Sequence, residues 1–116
     1  MASIFQVDEH DVPWVDYRDR NGEPDGPAAI RFKALSLLGA DVPSLQYVDY
    51  APGYVDPVHS HDTGEWLIIT GGSLRVGEGD DEPVSGPGAA VFVPKDTPYA
   101  VHAGEKGARF FRVVVP

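Results

Sequence analysis

At 116 residues the chain is long enough for one domain with a real core and too short for two. Its formal net charge of −9 is spread along the chain, which disfavours nucleic acid and anionic membranes, since both need basic patches to neutralise phosphate. There is no cysteine, which excludes disulfides and thiolate ligands, and no apolar run approaches the roughly 20 residues of a membrane span.

The first ten residues, Met1 to His10, carry neither a basic region nor an apolar signal core, so a cytoplasmic protein is expected. Residues 1–27 read as an N-terminal arm on a core of residues 28–116, one domain in all. Within the arm, Trp14 to Pro27 is polar and turn-rich and is expected to wrap outside the core. Trp14 would cover either an apolar patch or an intersubunit seam. From there, runs rich in β-branched and aromatic residues follow at short intervals: Ile30–Leu38, Leu45–Tyr50, Trp66–Thr70, Leu74–Val76, Ala89–Val93, Tyr99–Ala103 and Arg109–Val115. Ile4–Val7 is a further run of this kind within the arm. Turn chemistry separates them at Pro52-Gly53, Gly71-Gly72, Gly77 through Pro83, Gly86-Pro87-Gly88, Asp96-Thr97-Pro98 and Gly104 through Gly107. No stretch sustains a helical period. Short strands at this spacing predict an all-β sandwich or barrel. A closed double sheet, the jelly roll, leaves an interior that can hold one small ligand. The terminal runs Ile4–Val7 and Phe110–Val115 are apolar enough to be edge strands that need cover, which predicts a homodimer.

Between the second and fourth of these runs lies the densest chemistry: Gly53-x5-His59-x-His61-x3-Glu65-x6-Gly72, in a chain with 4 histidines. On an extended strand His59 and His61 point to one face with Cα atoms roughly 7 Å apart, so two ring nitrogens can converge on one ion. Asp62-Thr63-Gly64 reads as a turn and Glu65 opens the next strand, which returns a carboxylate beside the imidazoles. Two histidines and one carboxylate with open positions suit Fe(II), and also tolerate Mn, Ni or Zn. Strand parity then puts Leu67 and Ile69 inward with Glu65, and Val101 inward with Tyr99. His102 faces outward unless a bulge intervenes.

This spacing matches the first motif of the cupin superfamily position for position, and the chain resembles a small single-domain cupin. The resemblance implies a double-stranded β-helix (jelly-roll) barrel. Gly88 and Pro94 stand in register with the second motif, Asp96 stands where the family usually has Gly, and Tyr99 stands where it usually has a fourth ligand histidine. Three readings of Tyr99 are open: a phenolate ligand, a hydrogen-bonding partner of substrate beside a three-ligand metal, or a core aromatic. The second is preferred, with Tyr99 as the catalytic residue. His102 would complete the ligand set if its strand is bulged. Arg31, Lys33 and Gln46 sit on strands that often line a cupin pocket. An ion with one carboxylate keeps positive charge, which favours a small-molecule substrate with an anionic or enolisable oxygen.

The leading expectation is a metal-dependent enzyme with dioxygenase-type chemistry on a substrate that chelates through oxygen. Isomerase or lyase chemistry with the ion as Lewis acid is the alternative, with Tyr99 moving a proton. A non-catalytic small-ligand binding or sensor module is the rival from another class. The acidic Gly77 to Glu82 stretch has no Lys to cradle phosphate, and no Gly-x-Ser-x-Gly elbow occurs.

Overall fold

Alternating apolar and polar side chains, broken by Gly and Pro, make this chain a succession of antiparallel strands. The computed structural model describes residues 4–17, 29–36, 43–79 and 82–115. In chain order the strands are β1 (Val15–Tyr17), β2 (Ile30–Ser36), β3 (Ser44–Tyr50), β4 (Val55–His59), β5 (Gly64–Gly77), β6 (Val84–Ser85), β7 (Ala90–Val93) and β8 (Tyr99–Val115), after a single 3-10 turn at Glu9–Asp11. All pairings are antiparallel, and the hydrogen-bonded order is β1-β2-β3-β8-β5-β6, with β4 also on β8 and β7 also on β5.

Two strands run through both layers of this jelly roll. The later half of β8 lies between β3 and the first half of β5. The earlier half of β8 lies between β4 and the second half of β5. The sequence reading expected a turn at Gly71-Gly72 and another at Gly104 through Gly107; instead each pair of predicted runs is one continuous strand. The register of β5 on β8 shifts on either side of Gly71-Gly72, which is the bulged bend that carries the ladder from one layer to the other. Gly72 has φ +64°, and a Cβ there would collide with the carbonyl of Gly107, whose own φ is +77°. Two glycines back to back thus let the corner close.

The inward faces of both layers form one core of Val48, Tyr50, Leu67, Ile69, Leu74, Val93, Tyr99, Val101, Ala103, Ala108 and Phe110. Phe110, Ile69 and Leu74 are completely enclosed, and each such side chain contributes about 1.5–3 kcal/mol through burial. Parity follows the expectation on β5: Glu65, Leu67 and Ile69 are buried while Trp66 and Ile68 face out.

The N-terminal segment differs from a simple wrapped arm. Val15–Tyr17 is an edge strand on β2, and residues 18–28 lie outside the described residues. Trp14 stacks on Tyr47, which stacks in turn on Phe111, at centroid distances of 5.4 and 4.5 Å. The cations of Arg31, Lys33 and Arg109 stand 4.8–5.3 Å from the Trp14 ring, within the range of cation–π attraction. Trp14 therefore covers an apolar patch of its own sheet. Lys33 is buried beneath this arm and donates to the backbone carbonyl and the carboxylate of Glu9, each at 2.7 Å.

Two expected edge strands have other roles. Phe110–Val115 is paired on both sides, by β3 and by β5, so it is interior to the sheet. Ile4–Val7 is exposed and forms no strand; Ile4 is 93% accessible. An apolar run signals burial or pairing without saying how many neighbours it has, and here β8 pairs with three strands, β3, β4 and β5. No helix among the described residues is long and apolar enough to cross a membrane.

Candidate active site

The inward faces of β2, β3, β5 and β8, with Asp56, Pro57 and His59 of β4, enclose a cavity of about 780 Å³. Apolar residues such as Phe32, Val48, Leu67 and Phe110 make much of its wall, and its polar groups include Gln46, Asp56, His59, His61, Glu65, Tyr99 and Arg112. The volume is in the range that holds a small organic molecule.

His59 ends β4 and His61 follows it, so the one-residue spacing brings their rings to 4.9 Å, edge to face. The Nδ1 of His59 lies 2.6 Å from the carbonyl oxygen of Pro57, which can only accept. That nitrogen therefore carries the hydrogen, and Nε2 is left as the lone-pair nitrogen of the neutral ring. Asp56 Oδ2 is 3.8 Å from this Nε2 and accepts from the Tyr50 hydroxyl at 3.4 Å. Burial depresses the pKa of His61 below its ordinary 6.5. The backbone N–H of Asp96 donates to the His61 carbonyl at 2.7 Å, which ties the second sequence motif to the first. Asp96 has φ 59°, the left-handed conformation that explains why glycine is the usual choice there and why Asp is tolerated.

Glu65 is 1% accessible and is held by two donors. The Tyr99 hydroxyl donates to Oε1, and Arg112 Nε donates to Oε2 in an ion pair. Arg112 is the register partner of Gln46 on one side and Leu67 on the other, and its Nη1 reaches the Gln46 side-chain oxygen at 3.4 Å. The Tyr99 ring also lies 4.6 Å from that of His59. Burial, and then the Glu65 carboxylate as hydrogen-bond acceptor and as charge, push the Tyr99 phenol above its usual range. Burial does the same to Tyr50.

Of the residues singled out from sequence, His59, His61, Glu65 and Tyr99 all line this cavity. His102 does not line it: it pairs across to Val55 and Arg75 on the opposite parity from Tyr99 and Val101. Arg31 is spent on Asp49 and Trp14 and Lys33 on Glu9, both on the outer face, whereas Gln46 points in. Arg112 was passed over in the sequence, yet its parity with Phe110 signalled it: if Phe110 is core, the residue two on faces the same way.

The imidazole pair has the donor chemistry of a cation site, with one ring oriented by a backbone carbonyl and the other disfavouring a proton. Glu65 stands apart from that pair in its bonding, since each of its oxygens already accepts from a neighbour. Among the described residues no three of His, Asp and Glu are gathered as a ready-made ligand group. The residues thus fit an ion carried by His59 and His61 with ligands from substrate or water, and Glu65 as a neighbouring acceptor.

The sequence matches the cupin domain family over residues 46–115. The chain is a cupin. Its fold is similar to that of KdgF from a Halomonas species, at 20% identity over 100% of this chain and 94% of that one, TM-score 0.76. The DMSP lyase DddQ from Ruegeria pomeroyi is similar at 20% identity over 92% of this chain and 57% of that one, TM-score 0.74. Oxalate decarboxylase from Bacillus subtilis, a protein with Mn(II) centres, matches at 25% identity over 74% of this chain and 24% of that one, TM-score 0.62. No curated protein sequence matches the chain.

Proposed function

We propose that this cupin is a small-molecule enzyme of the isomerase or lyase type, in which Tyr99, Glu65 and Arg112 move a proton at a carbon next to a carbonyl. One observation carries the reading: the Tyr99 hydroxyl is aimed at a buried carboxylate that is itself ion-paired, inside the same cavity as the imidazole pair. A phenol whose pKa is raised is a poor isolated base. Here it need never become a free phenolate. Tyr99 Oη accepts the proton from the substrate carbon as its own proton passes to Glu65 Oε1. The C–H bond and the old Tyr99 O–H bond break, new O–H bonds form at Tyr99 Oη and Glu65 Oε1, and the carbon electron pair moves onto the substrate's carbonyl oxygen as an enolate. Reprotonation at another position completes an isomerisation; loss of a group from the adjacent carbon completes an elimination. The apolar wall excludes water and strengthens each of these interactions. A divalent ion at His59 and His61 would polarise that same carbonyl oxygen.

The bonding of Glu65 to Tyr99 and Arg112 supports proton transfer as the first reading; oxygen-dependent chemistry, with Glu65 as a third ligand, is the second. The similar folds include a lyase and a decarboxylase, which supports this class of reaction. The test is solvent deuterium exchange into two carbon acids, phenylpyruvate and benzoylacetone, followed by NMR with and without added Mn(II). Exchange above the buffer rate is expected, and Tyr99→Phe should lower it by about 10²–10⁴-fold, the usual contribution of a positioned acid–base group. Exchange that survives Tyr99→Phe, or turnover that consumes oxygen, would overturn the reading.

A further inference from the structure

We infer that Arg112 and Gln46 together form the head-group subsite of this cavity, and that the substrate is a carboxylate with an apolar, ring-sized body. The inference rests on the cavity being the substrate site, as proposed above, but not on proton transfer within it. Among the described residues lining the cavity, Arg112 is the single lysine or arginine. Its guanidinium has five N–H donors; Nε is directed at Glu65 and Nη1 at Gln46 across 3.4 Å, which leaves further N–H donors on a side chain that lines the cavity. Gln46 accepts through its side-chain oxygen, so its amide N–H groups are turned the other way, and they come from a strand position directly paired with Arg112. A planar guanidinium edge beside an amide donor matches the two oxygens of a carboxylate.

Glu65 does not remove this capacity. It fixes the guanidinium plane through Nε and leaves the Nη edge as the donor face. The second carboxylate of the lining, Asp56, accepts from Tyr50, and Tyr50 stands four residues along β3 from Gln46, about 13 Å at strand rise. The register also defines where the body of the ligand goes. The row next to Gln46 and Arg112 is Phe32, Val48 and Phe110, and the row after it is Ile30 and Tyr50. Two rows of apolar side chains at about 7 Å each leave room for one or two rings. None of these row residues is a lysine or arginine.

The probes are 2-naphthoate and its neutral amide, 2-naphthamide, bound to the full chain by calorimetry in the presence of a chelator, so that no metal ion contributes to anion affinity. The naphthoate should bind at least tenfold more tightly than the amide. Glu65→Gln removes the competing carboxylate and should raise that ratio further. The double variant Glu65→Gln/Arg112→Gln, which replaces the ion pair by a neutral pair, should bring the ratio to about one. Equal binding of acid and amide by the wild type, or a preference that survives the double variant, would overturn the inference. Tyr99→Phe separates it from the catalytic proposal: the acid preference should persist there although deuterium exchange is lost. If exchange fails in the wild type while the acid preference stands, only the catalytic reading falls.

Discussion

Replacing Arg112 by Met should destabilise the fold far more than its partial exposure suggests. The side chain is 24% accessible, but its partner Glu65 is almost wholly enclosed. Without the guanidinium, Oε2 faces protein where water cannot replace the lost donor, and only the Tyr99 hydroxyl on Oε1 remains. At contact distance and an effective dielectric near 20 the attraction is about 4 kcal/mol. Stranding one partner of a buried pair costs on the order of 3–5 kcal/mol. Glu65→Gln should cost less, about 1–3 kcal/mol, because the released guanidinium can be hydrated from the cavity. The double variant Glu65→Gln/Arg112→Met should be milder than the sum by about 2–3 kcal/mol, the coupling expected of contacting charges. Urea unfolding followed by circular dichroism reads this directly. With a denaturant slope of about 1–3 kcal/mol/M, Arg112→Met should lower the midpoint by roughly 2 M. A loss below about 1 kcal/mol, with coupling inside the additivity error of about 0.5 kcal/mol, would refute the claim that this pair is a buried, mutually dependent unit.

Three further outcomes are expected. Gly72→Ala places a Cβ against the Gly107 carbonyl at positive φ and should cost more than about 3 kcal/mol or prevent folding, whereas Gly86→Ala, with open space around it, should stay within about 0.5 kcal/mol by urea unfolding. Trp14→Ala removes the stack on Tyr47 and three cation–π contacts, so residues 4–14 should gain amide exchange and protease sensitivity before the rest of the chain does, at a cost of about 1–3 kcal/mol. His61 has a depressed pKa in the folded state, so below pH 6.5 the unfolded chain binds the extra proton first and stability falls with pH. His61→Asn should flatten this acid limb in a series of unfolding curves. The same ring, unprotonated at neutral pH, should bind Co(II) there and release it on acidification, and an absorption titration would detect either result.

Much of the site was legible because strand parity is local. Once Glu65 is inward, Leu67 and Ile69 must be, and once Tyr99 is inward, His102 points the other way; the first pattern holds in the burial of β5 and the second in the register of β8 and the cavity lining. The motif spacing likewise brought the two imidazoles together, since a separation of one residue leaves an extended chain little choice. Gly71-Gly72 and Gly104 through Gly107 were harder. Glycine marks both turns and bulges, and whether a strand ends or bends there depends on a partner strand far away in sequence.

The sequence by itself determined the fold class, the inward set around Glu65 and Tyr99 and the pairing of the two imidazoles, because those follow from period-two geometry and side-chain chemistry. What Glu65 does was decided by tertiary structure alone. Its neighbours Tyr99 and Arg112 lie 34 and 47 residues away, on a strand whose register is set by β3 and β5 together. Glu65, a carboxylate beside two histidines in the sequence, is the middle of an ion-paired hydrogen-bond chain in the fold, because a buried charge takes the nearest donors the fold provides.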